Sequence, residues 1–560
     1  MAPALTSTMT TLATLLTDAA RVDPDTEALV GLSRRYTWRE YDRAAANVAA
    51  HLLAAGVGRG DRVAVGFSKD ARSFVAIHGC LRIGAIVVPL DPMSPPMAAR
   101  SVLTDADVAA VFVDARRCEQ LDPWSIDGLA LRTLVTAQPS TDPRTTAFDD
   151  VADRAHPDAL AALERLPPVA ADDPAYIIFT SGSTGRSKGI VHTHASAMAY
   201  AARAVESRRL TPADRIAGMS PLHFDMSTLE LYAAPLARCA VVVVGEAHLR
   251  FPASFTSRSQ DERVSVWYFV PSFFRLVTER GALDQRDLSA LRLVMYGGEP
   301  YAVGALAELA AAVPNAVIEN IYGPAEVNEC TSHVVTPATL QGDDVPVGLP
   351  WHGVDLRVVD ELDGDGDDRF VDVADGEPGE LWVSAPTVMT GYWRRPDLDA
   401  RSLVLRPGGF PWYRTGDVVV RDPDGTVWFR GRRDHQVKVR GIRLELEAVE
   451  AVLTDAPDVV HAVAVPVGDA GEAAHVAAVV VLRDGAALDE AALRAFCTSR
   501  LPAVGVPKEF RVVDRLPFTA TGKLDRRHVR EHFADTPVST SASTTPAAGP
   551  ASAEAMEETA

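Results

Sequence analysis

Tyr176-Ile177-Ile178-Phe179-Thr180-Ser181-Gly182-Ser183-Thr184-Gly185-Arg186-Ser187-Lys188-Gly189 is the stretch that decides how this chain is read. Four apolar residues, Tyr176 to Phe179, predict a short buried strand. The strand runs into a loop crowded with hydroxyls and glycines. Gly182, Gly185 and Gly189 let backbone N–H groups come close to a ligand. Thr180, Ser181, Ser183, Thr184 and Ser187 add hydroxyl donors, and Arg186 and Lys188 add positive charge. Such a loop is suited to an anion, and a polyphosphate fits best. It is not a Walker A loop: counted from Gly182, Ser187 stands where the second glycine belongs, and Gly189 where a hydroxyl residue belongs.

At 560 residues the chain is too long for one core, and two or more domains are expected. The composition, 47% apolar and 23% charged, is that of a soluble globular protein. A net charge of −20 argues against nucleic acid or an anionic membrane as the main partner. The five cysteines lack C-x-x-C pairing, which points to reduced thiols in a cytoplasmic protein. No secretory signal precedes the first basic residue, Arg21, and no apolar run is long enough to span a membrane.

Outward from the loop, helical and strand patterns alternate. Thr37-x-x-Glu40 is a capping box before a helix from Trp38 to Gly56. Strands are predicted at Arg62–Phe67, Ile86–Leu90 and 109–113, with a helix over Ser73–Ile83. After the loop come a helix at Ala195–Ser207 and strands at Arg238–Val244, Val264–Phe269 and Leu291–Tyr296. This alternation implies parallel-sheet α/β units. From Gly342 to Val420, short strands and turns predict a smaller β-rich subdomain. Beyond Arg432, helices at Leu444–Leu453 and Asp489–Leu501 and strands at Val459–Val467, His475–Leu482 and Phe510–Val513 predict a compact α+β unit. The expected organisation is α/β: a large N-terminal domain over 1–433, a small mobile C-terminal domain over 434–535, and a disordered Ser/Thr/Pro-rich tail over 536–560.

Four further motifs accompany the loop. They are Asn320-Ile321-Tyr322-Gly323-Pro324-Ala325-Glu326, Tyr413-Arg414-Thr415-Gly416-Asp417, Phe429-Arg430-Gly431-Arg432-Arg433-Asp434, and Leu516-Pro517-Phe518-Thr519-Ala520-Thr521-Gly522-Lys523-Leu524-Asp525. With Gly298-Glu299-Pro300, their order resembles the adenylate-forming enzymes: acyl-CoA ligases, luciferases and the adenylation domains of nonribosomal peptide synthesis. The resemblance implies ATP and Mg²⁺ as cofactors and a set of roles. Thr180, Ser181, Gly182, Ser183, Thr184, Gly185 and Lys188 would hold phosphates. Gly298, Glu299, Pro300, Asn320 and Tyr322 would frame adenine, and Asp417 the ribose. Phe429 and Arg432 would contact nucleotide, and Glu326 would hold the metal. Asp434 would be the hinge, with Gly441 in a tunnel used for thioester formation. Lys523 would be the mobile catalytic lysine, a point cation beside the phosphoryl oxygens, acting with Glu326 and Thr180. Ala325 departs from the family's threonine.

His223-Phe224-Asp225-Met226-Ser227 resembles the pocket motif of amino-acid-adenylating domains. There the aspartate pairs with the substrate α-ammonium. As an alternative, Asp225 could cap a helix over Met226–Leu236. The same alignment places Met226, Leu229, Ser272, Val294, Tyr296, Ile321, Glu329 and Cys330 in the pocket wall. The bulky Met226, Leu229 and Tyr296 favour a small side chain such as that of alanine, serine or glycine. Glu329 either reads a second amino group or fills space beside an arginine. His192 and His194 have no carboxylate or cysteine at ligand spacing and read as structural. No phosphopantetheine site follows Lys523, so a separate carrier protein in natural-product biosynthesis is expected as partner. An acyl- or aryl-CoA ligase of the same fold, and an inactive nucleotide-binding relative, stand as alternatives.

Overall fold

The computed structural model describes residues 11–154, 157–180, 187–361, 370–433, 436–439, 442–468, 475–483, 485–517 and 526–533. Ser181 to Arg186 of the loop, the acidic run 364–368, Asp434, Gly441, Lys523 and the tail lie outside these residues. Two large sheets carry the N-terminal part. One has eight strands, with Arg62–Gly66, Ile86–Pro89, Val108–Val113 and Pro174–Thr180 running parallel near its centre. The other has nine, including the parallel set Arg215–Gly218, Ala240–Val243, Val266–Phe269, Leu293–Gly297 and Val317–Tyr322. Both are built from valine-rich strands buried on both faces, as parallel sheets require.

The capping box forms as read: the Glu40 N–H donates to Thr37 Oγ1 at 3.3 Å, and Thr37 N–H donates back to Glu40 Oε2 at 2.9 Å. Its helix, Trp38–Ala54, packs against Ala71–Arg82. Contact is close at Gly79, where an added Cβ would lie 2.5 Å from Val48 Cγ1.

A six-stranded, largely antiparallel sheet forms the β-rich part, centred on Asp355–Glu361, Pro378–Ser384 and Trp412–Arg421. It also takes in Val427–Arg432, beyond the expected end. Leu349–Pro350 instead joins the nine-stranded sheet, and Gly391–Tyr392 the eight-stranded one. The C-terminal part opens with the hairpin Gln436–Val439 and Ile442–Glu445. Helix Leu446–Thr454, a three-stranded mixed sheet and helix Glu490–Thr498 follow around a core of their own. All five cysteines are buried and unpaired. No helix among the described residues is long and apolar enough to cross a membrane.

One expected helix forms irregularly. In place of a continuous helix over Met226–Leu236 there are a 3₁₀ turn Asp225–Ser227, a π turn Leu229–Ala233 and a short α turn Ala234–Ala237. Pro235 has no N–H to continue the α ladder, so the preceding turn widens.

Gly79→Val should cost about 1–3 kcal/mol by overpacking. The expected result is a lower melting temperature with unchanged kinetics of the folded fraction; an unchanged melting temperature would mean that the two helices have room to separate.

Candidate active site

The carboxyl ends of the parallel strands meet at one cavity of about 510 Å³. Thr180, Phe269, Gly298 and Tyr322, each at or just beyond such an end, all line it. Open α/β sheets bind ligands in this place. The C-terminal part closes the other side with Arg443, Val452 and Leu501.

One wall carries a linked set of polar groups. The Tyr322 hydroxyl donates to Asp417 Oδ2, and the Arg432 guanidinium pairs with Asp417 Oδ1. The Thr415 hydroxyl donates to the Leu381 carbonyl at 2.7 Å, and the Asp417 N–H donates to Thr415 Oγ1 at 3.0 Å. Asp417 is thus fixed from its backbone and from both oxygens. Across the eight-stranded sheet's hairpin, Thr180 and Lys188 are register partners. Thr180 Oγ1 is buried with no hydrogen-bond partner among the described residues.

The loop after Tyr322 holds two buried carboxylates. Gly323 allows the chain to fold back tightly: a Cβ there would lie 1.8 Å from the Asn328 carbonyl oxygen. The N–H groups of Val327 and Asn328 both donate to the Pro324 carbonyl. Behind the turn, His192 Nε2 lies 2.9 Å from the Ala325 carbonyl. Burial lowers this imidazole's pKa to about 4, so it is neutral and acts as a prop for the loop.

Glu326 is 0% exposed. Arg443 reaches it from the C-terminal hairpin at 2.7 and 3.0 Å, and the Tyr392 hydroxyl donates at 2.8 Å. Burial pushes this carboxyl up, but Arg443 and Lys188 outweigh burial and hold it well below the ordinary range. Lys188 Nζ lies 3.1 Å from Glu445 of the same hairpin. Two ion pairs therefore bridge the two parts of the chain at the cavity.

Glu329 is also buried. Arg208 pairs with its Oε2 at 2.7 Å, and the Tyr200 hydroxyl donates to its Oε1 at 3.1 Å. Of the two openings the sequence left for this residue, the structure has the arginine pair.

Asp225 lines the cavity with Met226 and Ile321. Its Oδ1 accepts the Met226 N–H at 3.0 Å, and Phe224 holds the N-cap position of the short turn. Asp225 is the first residue of that irregular helical segment, not its N-cap. Other expected wall residues lie elsewhere. Val294 and Tyr296 pack in the core on the far face of their strand, whereas Met295 shares the face of Tyr268 and Ile321. Leu229 and Cys330 are buried in cores behind the cavity. Ser272 is not among the lining residues; its N–H donates to Glu299 at 3.2 Å. The Asn320 amide donates to the Pro346 carbonyl at 2.9 Å, away from the cavity. Pro300 is exposed, and Phe429 packs in the β-rich core. Sequence reading missed Arg443, Glu445, Tyr392 and Arg208. No local pattern marked either Arg208 or Arg443.

A two-part α/β scaffold with a carboxylate-rich cavity at its strand ends is that of an adenylate-forming ligase. The chain belongs to the AMP-binding enzyme family: that family's model matches residues 16–393, and the model of its C-terminal domain matches 448–523. It is 34% identical over 507 residues to an L-proline–[L-prolyl-carrier protein] ligase of Streptomyces coelicolor, covering 90% of this chain and 93% of that protein. A ligase of the same name from Pseudomonas fluorescens is 33% identical over 483 residues, covering 85% and 90%. The amide bond synthetase McbA from Marinactinospora thermotolerans superposes with a TM-score of 0.78 at 27% identity, over 94% of this chain and all of that one.

Replacing Arg443 strands a buried carboxylate, a loss of about 3–5 kcal/mol where a buried pair is broken. Because the folded pKa of Glu326 is depressed, the stabilisation exists above the ordinary value of 4.5 and is lost as pH falls below it. The stability gap between wild type and Arg443→Met, measured by urea unfolding, should be largest near neutrality and shrink below about pH 4.5. A gap constant with pH would show that Arg443 contributes packing alone.

Proposed function

We propose that this ligase activates a small neutral α-amino acid with ATP and transfers it to the phosphopantetheine thiol of a separate carrier protein. The observation that carries the reading is Asp225 facing the same cavity as Tyr322, Asp417 and Thr180. An α-ammonium anchor and a nucleotide frame then share one enclosed space. The relatives named for L-prolyl-carrier protein support an amino acid and a carrier. Alanine, serine, glycine and proline are the candidates of suitable size.

In the first step the substrate carboxylate oxygen attacks the α-phosphorus of ATP, and pyrophosphate leaves. Asp225 holds the ammonium so that the carboxylate points at the phosphate. Tyr322 offers a ring face to adenine, Asp417 accepts from the ribose hydroxyls, and Arg432 balances Asp417. The unsatisfied Thr180 hydroxyl and Lys188 sit where phosphate oxygens need donors, with Ser181 to Gly185 completing the loop by resemblance. Glu326 would supply the hard oxygen ligand that Mg²⁺ prefers, and the metal's charge would offset that of the phosphates. Lys523 supplies a further point charge as the phosphoryl oxygens gain charge.

In the second step the carrier thiolate attacks the acyl carbon, and AMP leaves. Arg443 contacts both Glu326 oxygens that a metal would use. The hairpin bearing Arg443 and Glu445 would withdraw for adenylation and return after it, with Asp434 as pivot. In the arrangement described here, that hairpin is in the cavity wall.

The test is amino-acid-dependent ATP–pyrophosphate exchange across the common amino acids. Exchange with small neutral amino acids is expected; exchange only with acids lacking an amine would favour the CoA-ligase alternative. Asp225→Ala should raise the amino-acid KM about tenfold or more, the size of a lost charge-assisted bond, while the KM for ATP holds. An unchanged amino-acid KM would remove Asp225 from the pocket.

Lys523→Ala should reduce adenylation by two or more orders of magnitude, roughly the range seen when a transition-state charge partner is removed. Thioester formation from preformed aminoacyl-AMP should be far less affected. Equal loss in both steps, measured by single-turnover quench, would contradict the alternation.

A further inference from the structure

Beneath the cavity lies a closed set of charges that neither step above uses. Glu329 is a cavity-lining carboxylate on the same loop as Glu326, and it lines the space that Asp225, Met226 and Tyr268 also line. Its donors all come from the protein: Arg208 on Oε2, Tyr200 on Oε1, and the Tyr268 hydroxyl as a further hydrogen-bond partner.

Arg208 is buried behind it and does not line the cavity. It is held from several sides. Glu319 lies 3.3 Å from its Nε, and the Trp351 ring lies under the guanidinium with its centroid 4.8 Å away. The Arg208 carbonyl in turn accepts from Arg292 at 3.2 Å. Burial lowers the pKa of this guanidinium, but Glu329 and Glu319 more than offset burial, so it stays charged.

We infer that Arg208 is a specificity-determining residue: by neutralising Glu329 from behind, it keeps the floor of the amino-acid pocket from accepting a second ammonium, and so excludes short diamino acids. The inference rests on the amino-acid reading of the site. Its physical basis is competition for one carboxylate. Without Arg208, Glu329 would add an uncompensated carboxylate to the cavity that Asp225 also lines, and would favour a substrate with two ammonium groups. With Arg208 present, a second substrate ammonium meets a satisfied carboxylate and a nearby guanidinium. It would lose its hydration without a partner, which is costly. A neutral methyl, hydroxymethyl or ring side chain loses little. Arg208 touches no substrate, so its effect acts through Glu329.

The test compares serine with its amino isostere, L-2,3-diaminopropionate, in pyrophosphate exchange by the full-length protein. In the wild type, kcat/KM for diaminopropionate should be about tenfold or more below that for serine, the value of one charge-assisted contact forgone. Efficient use of diaminopropionate by the wild type would overturn the inference without any variant. In Arg208→Met, and in Arg208→Met with Glu319→Gln to remove the second stranded carboxylate, the ratio should shift toward diaminopropionate by about tenfold or more. Diaminopropionate should then also raise the melting temperature of the variant, while serine does not. Arg208→Lys, which keeps the charge, should restore the wild-type preference. A folded variant whose substrate ratio is unchanged would overturn the inference. Absence of exchange with every amino acid in the wild type would instead fail the reading on which it rests, a result distinct from either.

Discussion

Two carboxylates, Glu326 and Glu329, are buried three residues apart on one tight loop, and each must be neutralised. A buried carboxylate without a cation is costly enough to unfold its surroundings or to take up a proton. The structure meets the two demands in different ways. Glu329 is paired with Arg208, a residue of the same large domain that is locked between Glu319 and Trp351. Glu326 is paired with Arg443, which arrives on a hairpin of the C-terminal part. The first pair is fixed and shapes the pocket floor. The second joins the large part to the C-terminal hairpin.

This division explains why the cavity has contributions from both parts of the chain. Strand ends of the two large sheets supply Thr180, Phe269 and Tyr322, and the C-terminal part supplies Arg443, Val452 and Leu501. The Glu326–Arg443 and Lys188–Glu445 pairs cross between them at the same place. The small part thus places a cation on Glu326 and an anion on Lys188. Phosphates on Lys188 or a metal on Glu326 would remove the partners of Glu445 and Arg443.

Much of this was legible in the sequence, for identifiable reasons. The alternation of valine-rich runs with capped helices set the parallel sheets, and the Thr37–Glu40 box formed as written. The motif around Tyr322 and Glu326 carries its own turn chemistry in Gly323 and Pro324. The pocket wall was less legible. Leu293-Val294-Met295-Tyr296 is apolar at every position, because a parallel strand buries both faces. No period-2 pattern shows which residues face the cavity, and the alignment took Val294 and Tyr296, which pack in a core. Pro235 was read inside a helix that it in fact disrupts. Arg208 and Arg443 were invisible as partners, because an ion pair spanning 121 or 117 residues leaves no local signal.

The most direct measurement is the intact mass of a phosphopantetheinylated carrier protein after incubation with this enzyme, ATP, Mg²⁺ and a small amino acid, with free coenzyme A present as competitor. The account predicts a carrier heavier by one aminoacyl group on the phosphopantetheine thiol, and lost on treatment with hydroxylamine. An unmodified carrier together with aminoacyl- or acyl-coenzyme A would contradict it.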